Sequence, residues 1–325
     1  MSTPVICLGA INVDLKFRVE DLAGFLREWN TGLTRGGEEA ISPAQEARLT
    51  QLLARYGQPL SRFGGGQAAN TAYALACLGI PAALVGRVGA DADGRFLKEG
   101  LAGVDLEHVI TQGESGRAYI LADPEGERTI LVAPNTNDDL KDGEIPWEAL
   151  NGAAFLHLTS FASDGPLAVQ QAIATRVPGQ VRLSLDPGEL YARRGRLVLE
   201  DLLDHLETLL VTEEEWRQLG GDPKTHPFWA PPLVIIKRGA LGARLLTPLR
   251  YLDFPLELGG DLVDTLGAGD VFAAGYLAGR LSGLHLNLCV RLANRCAAVS
   301  LRGAGRESYP NRTFLERQVQ ALQAF

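Results

Sequence analysis

The chain holds 325 residues, 46% of them hydrophobic and 22% charged, a balance that supports a large buried core. Its net charge of −8 argues against a surface built for nucleic acid or an anionic membrane, because neither polyanion would be attracted overall. The N-terminus lacks a basic start followed by an apolar signal core, and no apolar run approaches the roughly 18 residues a membrane helix needs. Cys7, Cys77, Cys289 and Cys296 form no CxxC pair and sit among apolar neighbours, so they read as buried free thiols. A reducing cytoplasm is the expected compartment.

Along the chain, VICLGA reads as a buried strand. Asn12, Asp14, Lys16 and Arg18 then alternate with Val13, Leu15, Phe17 and Val19, a strand with one polar and one apolar face. Residues 21–60 form an insertion. Within it, Ser42-Pro43-Ala44-Gln45 has the capping-box pattern with proline at the first helical position. Leu49, Leu52, Leu53 and Tyr56 follow at helical spacing, and Gly57 is the stop. This helix is expected to pack or to support a lid rather than to carry chemistry.

Next come a helix, AANTAYALACLG, and a strand, AALVGRVG. AYILA and TILVA flank DPEGER, which reads as a β-hairpin with a Pro/Gly turn. AAFLHLTSF, VRLSLD, TLLVT and LVIIK are further buried strands, with the helix PLAVQQAIATRV after the first of them. Strands buried on both faces and separated by helices imply a mainly parallel sheet covered by helices. The segment near 12–19 and the hairpin near 116–133 fit no parallel sheet and are expected to form a small accessory β-sheet.

Two glycine-rich motifs carry chemistry. In Asp264-Thr265-Leu266-Gly267-Ala268-Gly269-Asp270, the apolar run VFAAGYLAGRL that follows makes Gly267–Asp270 the first turn of a buried helix. Free amides and the helix dipole favour an anion there, and glycines let a phosphate approach the backbone. A carboxylate at Asp270 could take the proton of an attacking hydroxyl. Gly64-Gly65-Gly66-Gln67-Ala68-Ala69-Asn70 opens another helix, where a ligand could lie against main-chain amides beside the Asn70 carboxamide. It lacks the GxGxxG spacing of a dinucleotide site, and strand one leads into Gly9-Ala10-Ile11-Asn12, so a nucleotide-dependent oxidoreductase is disfavoured.

With GGGQAANTAYALACLG, LVGRVGADADGRF and DTLGAGDVFAAGYLAGRL in order, the chain resembles the PfkB carbohydrate kinase family of the ribokinase-like superfamily from about Ile6 to Pro310. The resemblance implies a single unit over 1–325, a three-layer α/β/α core with a small β-sheet lid. It also implies ATP as co-substrate with Mg²⁺, Asp270 as catalytic base, and the amides of Gly267, Ala268 and Gly269 as an anion hole. Asn12, Asp14, Gly65, Gly66 and Asn70 would bind the acceptor. Lys237, Gly239 and Gly242, with Asn294 near adenine, would bind the nucleotide. Glu215 would hold Mg²⁺ through water, although Thr212 stands where many relatives carry asparagine. Asp264 and Ser308 are candidate ligands of a monovalent cation, with potassium activation as the hypothesis.

The reaction class expected is phosphorylation of a hydroxyl on a small sugar or sugar acid. A nucleoside kinase is the alternative, because the 21–60 insertion resembles in placement the extra segment of adenosine kinases. A non-catalytic binding protein is the further alternative. A small-molecule substrate and a homodimer through the lid are the expected partners.

Overall fold

The computed structural model describes residues 4–256 and 262–323. Strands β1 (Val5–Leu8) and β2 (Asn12–Val19) lead into α1 (Leu22–Trp29), β3 (Glu38–Ala40), α2 (Pro43–Tyr56) and β4 (Gly57–Gly65). Then come α3 (Gln67–Cys77), β5 (Ala82–Val88), α4 (Ala92–Glu99), β6 (Val109–Thr111), β7 (Gly116–Ala122) and β8 (Arg128–Ala133). The next stretch holds α5 (Trp147–Gly152), β9 (Phe155–Thr159), α6 (Asp164–Arg176), β10 (Arg182–Asp186), α7 (Gly188–Ala192) and α8 (Glu200–Leu203). It is followed by β11 (Thr208–Thr212), α9 (Glu213–Gln218), β12 (Leu233–Lys237), β13 (Ala243–Leu246) and β14 (Tyr251–Phe254). Helices α10 (Ala268–Leu281), α11 (Leu286–Ser300) and α12 (Arg312–Gln323) close the chain.

Nine strands form the large sheet in the order β14-β13-β12-β11-β10-β9-β1-β5-β6. All neighbours are parallel except β12–β13 and β13–β14. Alternation along β1 explains the layers: Val5 and Cys7 join the core beneath α3, α10 and α11, while Ile6 and Leu8 join the core on the other face. The chain leaves β1 toward β5 on one side and returns to β9 on the other. Ligands bind such sheets at the carboxyl end of this switch point.

Five strands form the small sheet, β3-β8-β7-β2-β4. Its register aligns Asp14 with Ala118 and Ala118 with Val132 in one row. The next row on the same face runs Lys16, Ile120, Ile130, Glu38. On the opposite face Val19, Tyr119, Leu121 and Leu131 meet Phe25 and Trp29 of α1 and Leu49, Leu52 and Leu53 of α2. Burying each such aromatic or leucine stabilises the sheet by roughly 1.5–3 kcal/mol. The two insertion helices therefore cover the outer face of the small sheet.

The capping box expected at Ser42 forms: Gln45 N–H donates to Ser42 Oγ at 3.3 Å, and Ser42 N–H donates to Gln45 Oε1 at 2.9 Å. Beyond Gly57 the chain does not end in a loop but runs on as β4, paired antiparallel with β2. A register shift between Lys16 and Phe17 accommodates Pro59 on this edge strand. No helix among the described residues is long and apolar enough to cross a membrane.

Candidate active site

Gly267 starts α10 at φ +75°, and a Cβ there would lie 2.7 Å from the Tyr309 hydroxyl oxygen, so glycine is required twice over. The N–H groups of Gly267, Gly269 and Asp270 make no main-chain hydrogen bond to a described residue, while that of Ala268 reaches the Thr265 carbonyl at 3.4 Å. These amides stand at the positive end of a 14-residue helix. Gly267, Gly269 and Asp270 line a cavity of about 250 Å³.

The same cavity is lined by Asn12, Asp14, Gly66 and Asn70. Gly66, at φ +93°, lets the start of α3 pass against β1: a Cβ would lie 2.2 Å from the Ala10 carbonyl oxygen. Gly65 packs flat on Asp14, where a Cβ would fall 2.1 Å from Oδ1. Residues 58 apart, Asn12 and Asn70, and 258 apart, Asn12 and Asp270, thus converge because two glycine-started helices and one strand end meet at the switch point.

Asn70 Nδ2 donates to Asp270 Oδ2 at 2.8 Å. Its Oδ1 accepts from both Nε and Nη2 of Arg306, at 3.1 and 2.9 Å, which fixes the direction of the carboxamide. Arg306 is in turn tied by Nη1 to the Gly100 carbonyl at 3.0 Å. Burial pushes Asp270 up to about 7; the Asn70 hydrogen bond and Lys237 oppose this, while Asp186 and Asp14 add to it. Asp14 is likewise raised by burial to about 7 and partly offset by Arg306. Asn12 Oδ1 accepts from Asn137 Nδ2 at 2.8 Å, and Asn137 also bonds both main-chain groups of Ile11.

On the other side of the helix start, Lys237 at the end of β12 forms an ion pair with Asp186 at the end of β10. A Cβ on Gly269 would lie 3.4 Å from Lys237 Nζ, so the ammonium sits against the glycine-rich turn. Burial alone would lower Lys237, but Asp186 and Glu215 together outweigh it and hold the ammonium charged. Thr212 and Glu215 form a reciprocal cap on α9: Glu215 N–H donates to Thr212 Oγ1 at 3.2 Å and Thr212 N–H to Glu215 Oε2 at 2.7 Å. Glu215 thus occupies the helix-capping geometry while its charge faces Lys237 and Asp186.

Other expected residues lie apart from the cavity. Gly239 and Gly242 shape the turn between β12 and β13, at φ +55° and +82°, and a Cβ on Gly242 would lie 2.1 Å from the Phe254 carbonyl oxygen. Asn294 spends its Nδ2 on that same Phe254 carbonyl at 2.9 Å, an internal tether between α11 and β14. Asp264 pairs with Arg128 at 2.7 Å and accepts from Leu266 N–H at 3.1 Å. Ser308 lines a different depression with Arg302 and Asn311. The Asp264 carboxylate thus already has an arginine as its charge partner.

Asp186, Arg306 and Glu38 were not singled out from sequence, nor were Asn137 and Asp138, and Glu38 is one of four carboxylates in the cavity wall. Asp186 had a readable signal, an aspartate closing the buried strand VRLSLD. Arg306 and Glu38, in an irregular loop and an acidic run, had none.

Residues 42–312 match the family described as pfkB family carbohydrate kinase. The chain is 34% identical over 256 residues to the ATP-dependent ribose-1-phosphate kinase of Halopiger xanaduensis, covering 76% of this chain and 83% of that protein. It is 30% identical over 266 residues to the ribokinase of Bacillus subtilis, covering 78% and 86%. Among solved structures, the adenosine kinase of Sinorhizobium meliloti superposes with a TM-score of 0.84 at 22% identity, over 99% of this chain and 100% of that one. Ribokinase of Arabidopsis thaliana, complexed with ribose and ATP, gives 0.75 at 24% identity over 98% and 99%. This chain belongs to the PfkB family of carbohydrate kinases.

Proposed function

We propose that the protein transfers the γ-phosphoryl group of ATP to a hydroxyl of a small sugar, with Asp270 as the general base. The observation that carries this reading is the shared cavity, in which Asp270 and the open amides of α10 face Asn12, Asp14 and Asn70. The acceptor hydroxyl gives its proton to the Asp270 carboxylate while its oxygen attacks the γ-phosphorus. The bond to the β-phosphate oxygen breaks and ADP leaves. Charge developing on the transferred group meets the N–H groups at Gly267–Asp270 and the Lys237 ammonium beside Gly269. A base raised to about 7 is ionised about half of the time at neutral pH and more above it, and is still strong enough to take a proton.

Gly65 and Gly66 bring the backbone close to the acceptor. Gly239, Gly242 and Asn294 support the nucleotide side through the β12–β13 turn and its neighbour β14. Mg²⁺, when bound through water at Glu215, supplies neutralising charge to the phosphates. The whole chain is read as one kinase unit in which the small sheet is the lid: its strands give the cavity Asp14, Glu38, Ala118 and Ile120. Closure would exclude water from the transfer. A homodimer through the sheet of the lid would use one of its edge strands, β3 or β4, because α1 and α2 cover the outer face. The four free cysteines support a reducing, cytoplasmic setting.

For the acceptor, the named relatives suggest ribose or ribose 1-phosphate, and the adenosine kinase neighbour keeps a nucleoside as the second reading. The test is ADP release from Mg-ATP by purified protein across sugars, sugar phosphates, sugar acids and nucleosides. Turnover with one acceptor, lost in Asp270→Asn, is expected; failure to bind ATP would overturn the reading.

A further inference from the structure

Among the charged groups of the cavity wall, four are carboxylates and none is cationic: Asp14, Glu38, Asp138 and Asp270. Asp270 is held by Asn70, and Asp138 accepts from Ala162 N–H at 3.2 Å. Asp14 and Glu38 differ. Asp14 is 93% buried by its 7% exposure, yet neither its carboxylate nor that of Glu38 has a side-chain hydrogen bond to a described residue. A buried carboxylate without donors is costly unless something else supplies them. Both lie on the same face of the small sheet, Glu38 on β3 and Asp14 on β2, in adjacent rows separated by Ala118, Ile120, Ile130 and Val132. Burial raises both to about 7; neighbouring carboxylates, Asp14 among them, add to the rise at Glu38, while Arg306 partly offsets it at Asp14.

The three nearby arginines are already engaged. Arg306 serves Asn70 and the Gly100 carbonyl. Arg193 pairs with Glu189 and donates to the Glu38 carbonyl at 2.9 Å, leaving the Glu38 carboxylate alone. Arg128 pairs with Asp264, and Lys16 also faces that carboxylate. Above about pH 7 both carboxylates are ionised and only accept hydrogen bonds, so there the missing partner donates. A second anion brought in beside Asp14 and Glu38 would meet like charge, with the three arginines nearby already committed elsewhere.

We propose that Glu38 is a specificity-determining residue that, with Asp14, selects acceptors carrying several hydroxyl donors and no negative charge, and turns away sugar acids and sugar phosphates. This rests on the phosphotransfer reading and narrows it. A free sugar and the ribose of a nucleoside share the chemistry that the two carboxylates recognise. The apolar strip between them then separates the two sources, since a base has a flat face to lay on it and a free sugar has not.

The test compares kcat/KM for matched acceptors: ribose, adenosine, ribose 1-phosphate and a sugar acid, with wild type, Glu38→Gln and Asp270→Asn. Wild type should favour the better uncharged acceptor over either anion by about 100-fold or more. Glu38→Gln should raise KM for that acceptor by about tenfold with kcat within about twofold, and should shrink the discrimination against anions. An unchanged melting temperature and ATP affinity would show that the variant is folded. Preference for an anionic acceptor, or an unchanged KM in folded Glu38→Gln, overturns this inference and leaves phosphotransfer standing. No ADP release with any acceptor, while Asp270→Asn behaves as wild type, overturns both.

Discussion

The two ends of the site handle charge in opposite ways. At the phosphate end Lys237 pairs with Asp186, Glu215 with the Thr212 cap, and Arg244 nearby with Asp253 at 2.6 Å. At the acceptor end Asp14 and Glu38 are left without donors, and burial raises them. A group that acts on every substrate in the same way, as a triphosphate binder must, gains from being fixed in advance. A group that chooses among acceptors gains from being unsatisfied until the right one arrives, because the wrong one leaves the cost in place. The contrast separates a preorganised half from a selective half.

The sharpest way to break that division is at the residue between them. Asp270→Asn should keep ATP affinity and lower kcat by roughly 10²–10⁴, the contribution of a positioned base. A loss of less than tenfold in rapid-quench or coupled ADP measurements would leave Asp270 without that role. Next in size is Lys237→Met, which strips the charge from the paired end. It leaves the carboxylates of Asp186 and Glu215 facing each other, and the expected cost is about 3–5 kcal/mol in urea unfolding. Pairing it with Asp186→Asn should recover a large part of that loss. If the double variant is as unstable as the single one, the pair is not what organises this end.

Asp14→Asn should act in the reverse direction on stability. The carboxyl has a folded value of about 7 against an ordinary 3.8, so the folded state prefers it protonated. That preference stabilises the protein below about pH 4 and is lost as pH rises toward 7. Replacing the acid by the neutral amide removes the penalty, with an expected gain of about 1–3 kcal/mol at pH 8 that vanishes near pH 4. Acceptor affinity should fall at the same time. A variant destabilised at pH 8 would mean that Asp14 has a structural partner after all.

Much of this contrast was legible from sequence at the glycine-rich motifs and hidden elsewhere. DTLGAGD and GGGQAAN announce helix starts with open amides, because only glycine meets the positive φ at Gly66 and Gly267. The alternation from Asn12 to Val19 gave the polar face of β2 correctly, and Ser42–Gln45 gave the start of α2. Strand β4 was not readable: Gln58, Pro59, Gly64 and Gly65 disfavour a strand locally, and pairing with β2 overrides them. Glu38 sits in Gly36-Gly37-Glu38-Glu39, which reads as a solvated loop until β8 pairs with it and turns the first glutamate inward. Asn294 and Asp264 were legible as polar residues, but their partners, Phe254 and Arg128, come from distant segments that no spacing rule connects.

The smallest expected effect concerns Arg306, which belongs to neither half yet sets the orientation between them. Two guanidinium nitrogens on Asn70 Oδ1 leave only the Asn70 amide hydrogens for Asp270. That donation lowers Asp270 against the rise from burial. The base works ionised, so kcat/KM should fall as pH drops through about 7. In Arg306→Gln the Asn70 carboxamide is free to rotate, its donation weakens, and the acidic limb should move upward by about half to one pH unit. At pH 8.5, where the base is ionised in both proteins, the rates should approach each other. Arg306→Lys keeps a cation but supplies one donor point instead of a fork, so it should fall between the two. A uniform loss of rate with an unmoved limb would assign Arg306 to packing against Tyr73, whose ring centroid lies 5.0 Å from its guanidinium carbon, and not to the tuning of the base.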